Sequence, residues 1–339
     1  MTNWNLLGHE WAVEMLRRQI QRGTTSHAYL FTGPPGVGRR TLALRFAQAL
    51  LCPEMTTPGE PCGVCRTCRQ IEAGQYADLS VVQADRVGGV LKVEQVRAVR
   101  QSLALKPFQG PYRIVLFLRF QEAHPSAANA LLKTLEEAPA HAILLLTADS
   151  AEQLLPTIVS RCEVLRLRPL PLEQVESWLQ ARPEVASAPD EGLPHSRLLA
   201  HLSGGRPGYA LRLLADGTVL TLRRQSLDQV RECLAARRRQ RFAQAESLAR
   251  DRETLRSVFL LWLTYWRDVL LRVSQAAVPI INVDYATEIE ALAARLSLAE
   301  ARRIVEELEM AIERLEKNVN ARLLTEVLLL NWPFIPALT

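Results

Sequence analysis

Hydrophobic positions in the first half of the chain follow two alternating periods. Short, nearly continuous apolar runs are separated by stretches in which apolar residues recur every three or four positions. The runs Ala28–Thr32, Leu79–Gln83, Ile114–Leu118, Ile143–Thr147 and Glu163–Leu167 are predicted as strands. Ile114–Leu118 is almost wholly apolar, as a strand covered on both faces is. Helical periodicity covers Trp11–Gln21, Arg40–Leu51, Val93–Ala104 and Ala127–Leu135. This alternation predicts an α/β class: a parallel sheet with helices on both faces. After Arg168-Pro169-Leu170-Pro171 the strand signal stops. Leu172–Gln180 and Ser196–Leu202 read as helices, and the turn Ser203-Gly204-Gly205-Arg206-Pro207-Gly208 precedes another, Tyr209–Ala215. From Leu220 to Leu330 the pattern is helical throughout, with Leu261, Tyr265 and Val269 on one apolar face. Three domains are therefore expected: an α/β core over 1–168, a small helical module over 169–217 and an all-helical domain over 218–339.

Composition narrows the class without naming a chemistry. At 339 residues the chain exceeds one typical core. Hydrophobic content of 48% and charged content of 23% are ordinary for a soluble globular protein. The start, Met1-Thr2-Asn3-Trp4-Asn5, is polar and lacks the basic region of a secretory signal. The longest apolar run, Val258 to Trp266, is cut by Arg267 and is too short to span a membrane. The expectation is a cytoplasmic protein without a membrane partner. A net charge of +5 permits contact with nucleic acid or acidic partners but does not argue for it. Lysine occurs only at Lys92, Lys106, Lys133 and Lys317, and the remaining basic residues are arginine. An Arg standing where Lys is expected is therefore weak evidence of functional change.

Gly33-Pro34-Pro35-Gly36-Val37-Gly38-Arg39-Arg40-Thr41 follows a predicted strand and opens a predicted helix. That is the setting of a phosphate-binding loop, whose glycines let backbone N–H groups wrap a phosphate at a helix N-terminus. The intact pattern has Lys at position 39 and Ser or Thr at 40; both are Arg here. Arg39 can meet phosphate, although its planar fork is bulkier than an ammonium group. Arg40 removes the hydroxyl that ligates Mg²⁺. Thr41 does not replace it, because one residue turns a helix by about 100°. The loop predicts the fold; it does not establish ATP or Mg²⁺ binding. The run Ile114–Leu118 should end in the acids that hold Mg²⁺ and polarise water, but Arg119-Phe120-Gln121 follows and Glu122 falls beyond the strand. Two lesions on separate segments argue against hydrolysis.

Cys52, Cys62, Cys65 and Cys68 fall in one short segment spaced C-x9-C-x2-C-x2-C. Four thiolates so close can enclose one tetrahedral Zn²⁺ in a closed, structural shell. An iron–sulfur cluster is the rival, since clustered CxxC spacing also suits it. Cys162 and Cys233 lie far away and read as buried thiols.

The run Asn129-Ala130-Leu131-Leu132-Lys133-Thr134-Leu135-Glu136-Glu137-Ala138-Pro139, followed by Leu155-Pro156-Thr157-Ile158-Val159-Ser160-Arg161-Cys162, resembles the clamp-loader branch of the AAA+ family. His27-Ala28-Tyr29-Leu30-Phe31 and the cysteine cluster narrow the resemblance within that branch. It is strong over Gly8 to Arg168 and weaker beyond. Leu315-Glu316-Lys317-Asn318-Val319-Asn320, with the apolar run to Leu330, resembles the family's C-terminal collar domain. The resemblance implies an AAA+ core with an inserted zinc module over 52–68, then a helical lid and a collar. It favours zinc over iron–sulfur.

Counting back from Asn129, the family's acidic pair falls on Leu118 and Arg119. That loss resembles the branch's rigid, non-hydrolysing member. The implied role is a stator in the bacterial sliding-clamp loader of DNA replication. Its implied partners are the gamma/tau and delta subunits, the sliding clamp and, through the assembly, primed DNA. Arg161 takes the position of an arginine finger that acts on a neighbour's ATP. From the tripeptide alone it reads preferably as a surface Arg capping a helix C-terminus, and the surrounding run turns the reading toward the finger. Thr147 and Arg206 take the family's two sensor positions; with an empty site they are relics or interface residues. Two alternatives stay open: an active gamma/tau-type ATPase that uses Arg39 in place of lysine, and a zinc-dependent nucleic-acid binder acting alone.

Arg231 and Arg237-Arg238-Arg239-Gln240-Arg241 form the densest basic cluster. It reads as a DNA-phosphate contact or, preferably, as the solvated face of a helix bearing Glu232 and Glu246. Trp262 and Trp266 lie four apart on one face and read as core or subunit packing.

Overall fold

The computed structural model describes residues 3–86, 88–186, 193–317 and 319–336. Asn318, in the collar-like motif, lies outside the described residues. The chain divides into two compact units, Met1–Val175 with Gly205–Tyr209, and Glu176–Gly204 with Ala210–Thr339.

The first unit is built on five parallel strands, β1 (Ala28–Thr32), β2 (Leu79–Val82), β3 (Arg113–Phe117), β4 (Ala142–Ala148) and β5 (Glu163–Arg166), ordered β2-β3-β4-β1-β5 among the described residues. Register is set by pairs such as Leu30 with Leu146, Leu30 with Val164, and Val115 with Leu144. Helices α1 (Glu10–Arg22), α2 (Arg39–Leu51), α3 (Arg66–Glu72), α4 (Val93–Leu103), α5 (Pro125–Glu136) and α6 (Pro156–Val159) connect and flank them. Every residue of β1 and β4 is buried. Because side chains alternate along a strand, β1 feeds two cores. Tyr29 and Phe31 join Leu16, Leu42 and Phe46 on one face, and Ala28 and Leu30 join Val115, Phe117 and Leu131 on the other. The doubly covered sheet expected from the apolar runs is therefore present, with strand ends within a residue or two of the prediction.

Helix α3, inside the cysteine segment, was not expected. Its N-cap is Cys65, whose sulfur accepts the Cys68 N–H at 3.3 Å in place of the usual oxygen cap.

Chain order continues with α7 (Leu172–Gln180), α8 (Pro183–Ala186), α9 (His195–Ser203) and α10 (Pro207–Ala215). Then follow α11 (Gly217–Ala235), α12 (Arg238–Leu248), α13 (Arg252–Val273), α14 (Ala286–Ala293), α15 (Leu298–Glu316) and α16 (Ala321–Leu330). The core of the second unit gathers Phe259, Trp262, Tyr265 and Trp266 of α13 with Leu308, Leu329 and Trp332. Trp332 sits 5.0 Å from the Trp262 ring and 5.3 Å from the Trp266 ring, so both tryptophans of α13 are core residues. The indole of Trp262 donates to the Ser226 carbonyl at 2.7 Å. Among the described residues, no helix is long and apolar enough to cross a membrane.

The basic cluster divides. Arg231 is half-exposed and paired with Glu288 at 2.7 Å, as a solvated face predicts. Arg241 fits neither reading of the cluster. It is buried, and its guanidinium donates to the carbonyls of Ala236, Leu329, Trp332 and Pro333 at 2.7 to 3.0 Å.

Candidate functional site

Strand β1 runs directly into the glycine loop, and α2 starts at Arg39. Gly33 has φ +142° and Gly36 has φ +87°, a region that strains any side chain. A Cβ at Gly33 would lie 2.3 Å from the Leu167 carbonyl oxygen, and one at Gly36 2.8 Å from the Tyr209 nitrogen. The loop thus has the wrapped shape of a phosphate binder, and several of its polar groups are engaged within the protein. The Arg39 side chain is buried, with Nη1 2.7 Å from Asp149 Oδ1, just past the end of β4. The two atoms lack hydrogen-bond alignment, so the contact is mainly Coulombic. The Asp149 carbonyl accepts the Gly33 N–H at 3.1 Å, and the Gly36 carbonyl accepts the Gly208 N–H at 2.8 Å. Arg206 stacks over the Tyr209 ring, 4.6 Å from its centroid. Gly38, with φ +113°, caps α2, and Arg40 and Thr41 are exposed in its first turn.

The end of β3 is equally occupied. Arg119, at φ +51°, donates its backbone N–H to Thr147 Oγ1 at 2.9 Å and its Nε to Glu122 at 2.9 Å. Glu122 also accepts the Gly88 N–H at 3.0 Å. Thr147 is buried and donates its hydroxyl to the Phe117 carbonyl at 3.4 Å. Thr147 therefore joins the ends of β3 and β4, while Glu122 is held beyond β3 in a short turn, Phe120–Glu122.

Arg161 stands between α6 and β5, as the sequence indicates. Pro156 at the first position of α6 presets its φ for the helix. The guanidinium bridges two elements: Nη1 donates to the Thr157 carbonyl at 2.8 Å, and Nη2 meets Glu136 Oε1, at the end of α5, at 2.6 Å. The side chain is 34% exposed. It caps the carbonyl end of α6 and also presents a cation at the surface.

The four cysteines converge. Their sulfurs lie within 4.8 Å of one another and none is in a disulfide. Cys52 to Cys62 is 3.6 Å, and Cys52 to Cys65 and Cys62 to Cys68 are both 3.9 Å. A tetrahedral ion with Zn–S of about 2.3 Å requires sulfur separations of ~3.8 Å, so the cage fits zinc. Backbone N–H groups of Cys62 and Cys65 point at Cys52 and Cys62 sulfurs. The Val64 N–H, then that of Cys65, pulls the Cys62 thiol down to about 7, while burial pushes Cys52 and Cys68 up. A bound dication stabilises all four as thiolates. Gln48 of α2, fully buried, donates to the Cys68 carbonyl at 2.7 Å and ties the knot to the helix behind the glycine loop. Burial pushes both remaining thiols, Cys162 and Cys233, up to about 12.

Asp149, Gly208, Glu136 and Gln48 were not singled out from sequence. Only Asp149 carried a signal, as an acid at the carboxyl edge of the strand beside the loop.

A parallel sheet with a glycine loop after its interior strand β1, and a four-cysteine knot after the loop helix, defines a P-loop-type α/β fold. The family model described as "DNA polymerase III, delta subunit" matches residues 8–171, and "DNA polymerase III, delta subunit, C terminal" matches residues 219–333. The chain belongs to this DNA polymerase III delta-subunit family. It is 36% identical over 214 residues to DNA polymerase III subunit delta-prime of Pseudomonas aeruginosa, covering 63% of each chain. To the Escherichia coli delta-prime subunit it is 34% identical over 200 residues, covering 59% of this chain and 58% of that one. To subunit tau of Salmonella typhimurium it is 36% identical over 176 residues, 52% of this chain and 27% of that one. The chain spans less than two thirds of the length of each of these relatives.

Proposed function

We propose that the chain is a delta-prime-type stator of a bacterial sliding-clamp loader, a subunit that does not hydrolyse ATP and lends Arg161 to a neighbour's ATP. The observation that carries this reading is the Arg39–Asp149 ion pair. Arg39, the buried cation of the loop, is already paired with a protein carboxylate. Arg119 at the end of β3 supports the same conclusion, because a cation there repels Mg²⁺ where the family uses an acid. Resident ATP and Mg²⁺ are therefore not part of this chain's chemistry. The cysteine cage holds a structural Zn²⁺, which supplies a covalent-like cross-link and no reaction step.

Arg161 provides a permanent cation with several donors at a surface edge. Placed against the γ-phosphoryl group of an adjoining subunit's ATP, it neutralises charge that develops on the equatorial oxygens. Such fingers contribute ~10³–10⁵ in turnover. The reading assigns 169–217 to a lid and 218–339 to a collar, with gamma/tau and delta subunits, the clamp and primed DNA as partners in the cytoplasm.

The test is a reconstituted loader carrying Arg161→Ala, assayed for clamp-stimulated ATP turnover. A large fall with assembly intact is expected; unchanged turnover removes the finger. Tight, Mg²⁺-dependent ATP binding by the isolated chain would instead favour the active-ATPase reading.

A further inference from the structure

An arginine finger has a positioning problem. Its guanidinium sits at the end of a long, flexible side chain, and misplacement by about 1 Å can cost on the order of 10²-fold in rate. Arg161 follows a helix of only four residues, α6, so its own element gives it little rigidity. Two acceptors from different elements hold it instead. The Thr157 carbonyl takes Nη1 at 2.8 Å, with Ser160 Oγ at 3.5 Å, and Glu136 Oε1 takes Nη2 at 2.6 Å. Both terminal nitrogens are thus anchored, which fixes the plane of the guanidinium. Neither contact uses the Nε edge.

Glu136 is itself well supported. It is the last residue of α5, and its neighbours Thr134 and Leu135 are buried beside the sheet. Its own carboxylate is half-exposed, so it is not a core group whose loss unfolds the protein.

We infer that Glu136 is a positioning residue for Arg161, an assignment that rests on the trans-acting role proposed above. The carboxylate does not act through its charge on the neighbouring nucleotide, since a negative charge beside a triphosphate opposes the reaction. It acts by fixing where the guanidinium is held. The functional unit is then Glu136–Arg161–Thr157, spanning α5 and α6, and its target is the terminal phosphate of a nucleoside triphosphate held by an adjoining subunit.

Loaders reconstituted with Glu136→Ala, Glu136→Gln, Arg161→Ala or the double variant Glu136→Ala/Arg161→Ala distinguish the possibilities. Steady-state turnover is measured across ATP concentrations, with assembly checked by gel filtration. Glu136→Ala is expected to lower kcat about tenfold while KM stays within about twofold. Glu136→Gln, which keeps an acceptor oxygen, retains most of the native rate. The double variant is no slower than Arg161→Ala alone. The assignment is overturned if Glu136→Ala is as active as or more active than native, if its loss falls on KM, or if it slows the Arg161→Ala loader further. An unaffected Arg161→Ala loader refutes the finger itself, and the assignment falls with it.

Discussion

Replacing Arg241 by methionine tests whether the densest basic stretch of the chain is a binding surface or an internal tie. The native guanidinium donates to four carbonyls, of Ala236, Leu329, Trp332 and Pro333, and three of them lie at or beyond the carboxyl end of α16. A cation there also offsets the negative end of the helix dipole. Methionine keeps the apolar stem but removes every donor. Four carbonyls left without a partner cost roughly 1 kcal/mol each when solvent reaches some of them. No longer desolvating a charge returns part of that, for a net loss of about 2–4 kcal/mol. A unit of this size shifts its melting temperature about 2–4 °C per kcal/mol, so a fall of roughly 5–15 °C is expected. Calorimetry and far-UV circular dichroism read the shift. Arg239→Met, at an exposed position of the same cluster, should leave the melt unchanged. A melt for Arg241→Met within about 1 °C of native would refute the tie.

Two further perturbations follow from the first unit. Asp149→Ala leaves the buried Arg39 guanidinium unpaired; because the Asp149 side chain is 35% exposed, the loss is about 1–2 kcal/mol rather than that of a fully buried pair. Urea unfolding reads it, and phosphate should then protect the variant but not the native chain; equal protection of both would count against the internal plug. Native protein should contain one zinc per four-cysteine cage by elemental analysis, and stripping it with a chelator should lower the melting temperature reversibly, since structural zinc contributes to folding free energy directly. An unchanged melt after complete removal would dismiss the structural role.

The sequence made legible those features that depend on local pattern. Nearly continuous apolar runs located the interior strands β1, β3 and β4, because a buried parallel strand needs them, and shorter mixed runs marked the edge strands β2 and β5. The cysteine spacing specified the cage, since ligands within one short segment can close on a single ion without help from the rest of the fold. Arg161 was found through the run around it and lies between α6 and β5 as expected. What stayed hidden depends on contacts between residues distant in sequence. Asp149 meets Arg39 across the sheet edge, Glu136 meets Arg161 from another helix, and Trp332 completes the α13 tryptophan pair from near the end of the chain. No periodicity encodes these pairings. Arg241 shows the converse limit: a charge cluster predicts exposure on average, yet one member can be drawn inward by unsatisfied helix-end carbonyls.

The glycine loop illustrates why a motif can outlast the ligand it suggests. Phosphate binding needs glycines so that backbone N–H groups can curl around an anion. Here the same glycines are required by packing alone. A Cβ at Gly33 collides with the Leu167 carbonyl after β5, and one at Gly36 collides with the Tyr209 backbone. The Gly208 N–H bonded to the Gly36 carbonyl holds the curl from outside, and Asp149 neutralises Arg39 from within. Core packing on both sides of β1 then fixes where α2 begins. The loop therefore keeps its form whether or not a nucleotide ever binds, so its glycines report the fold. The residues that report chemistry are those whose side chains have partners: Arg39 with Asp149, Arg119 with Glu122, and Arg161 with Glu136. The first two pairs place a protein carboxylate against each arginine beside the loop and the end of β3. The third holds its cation at the surface, the arrangement that the proposed trans-acting role requires.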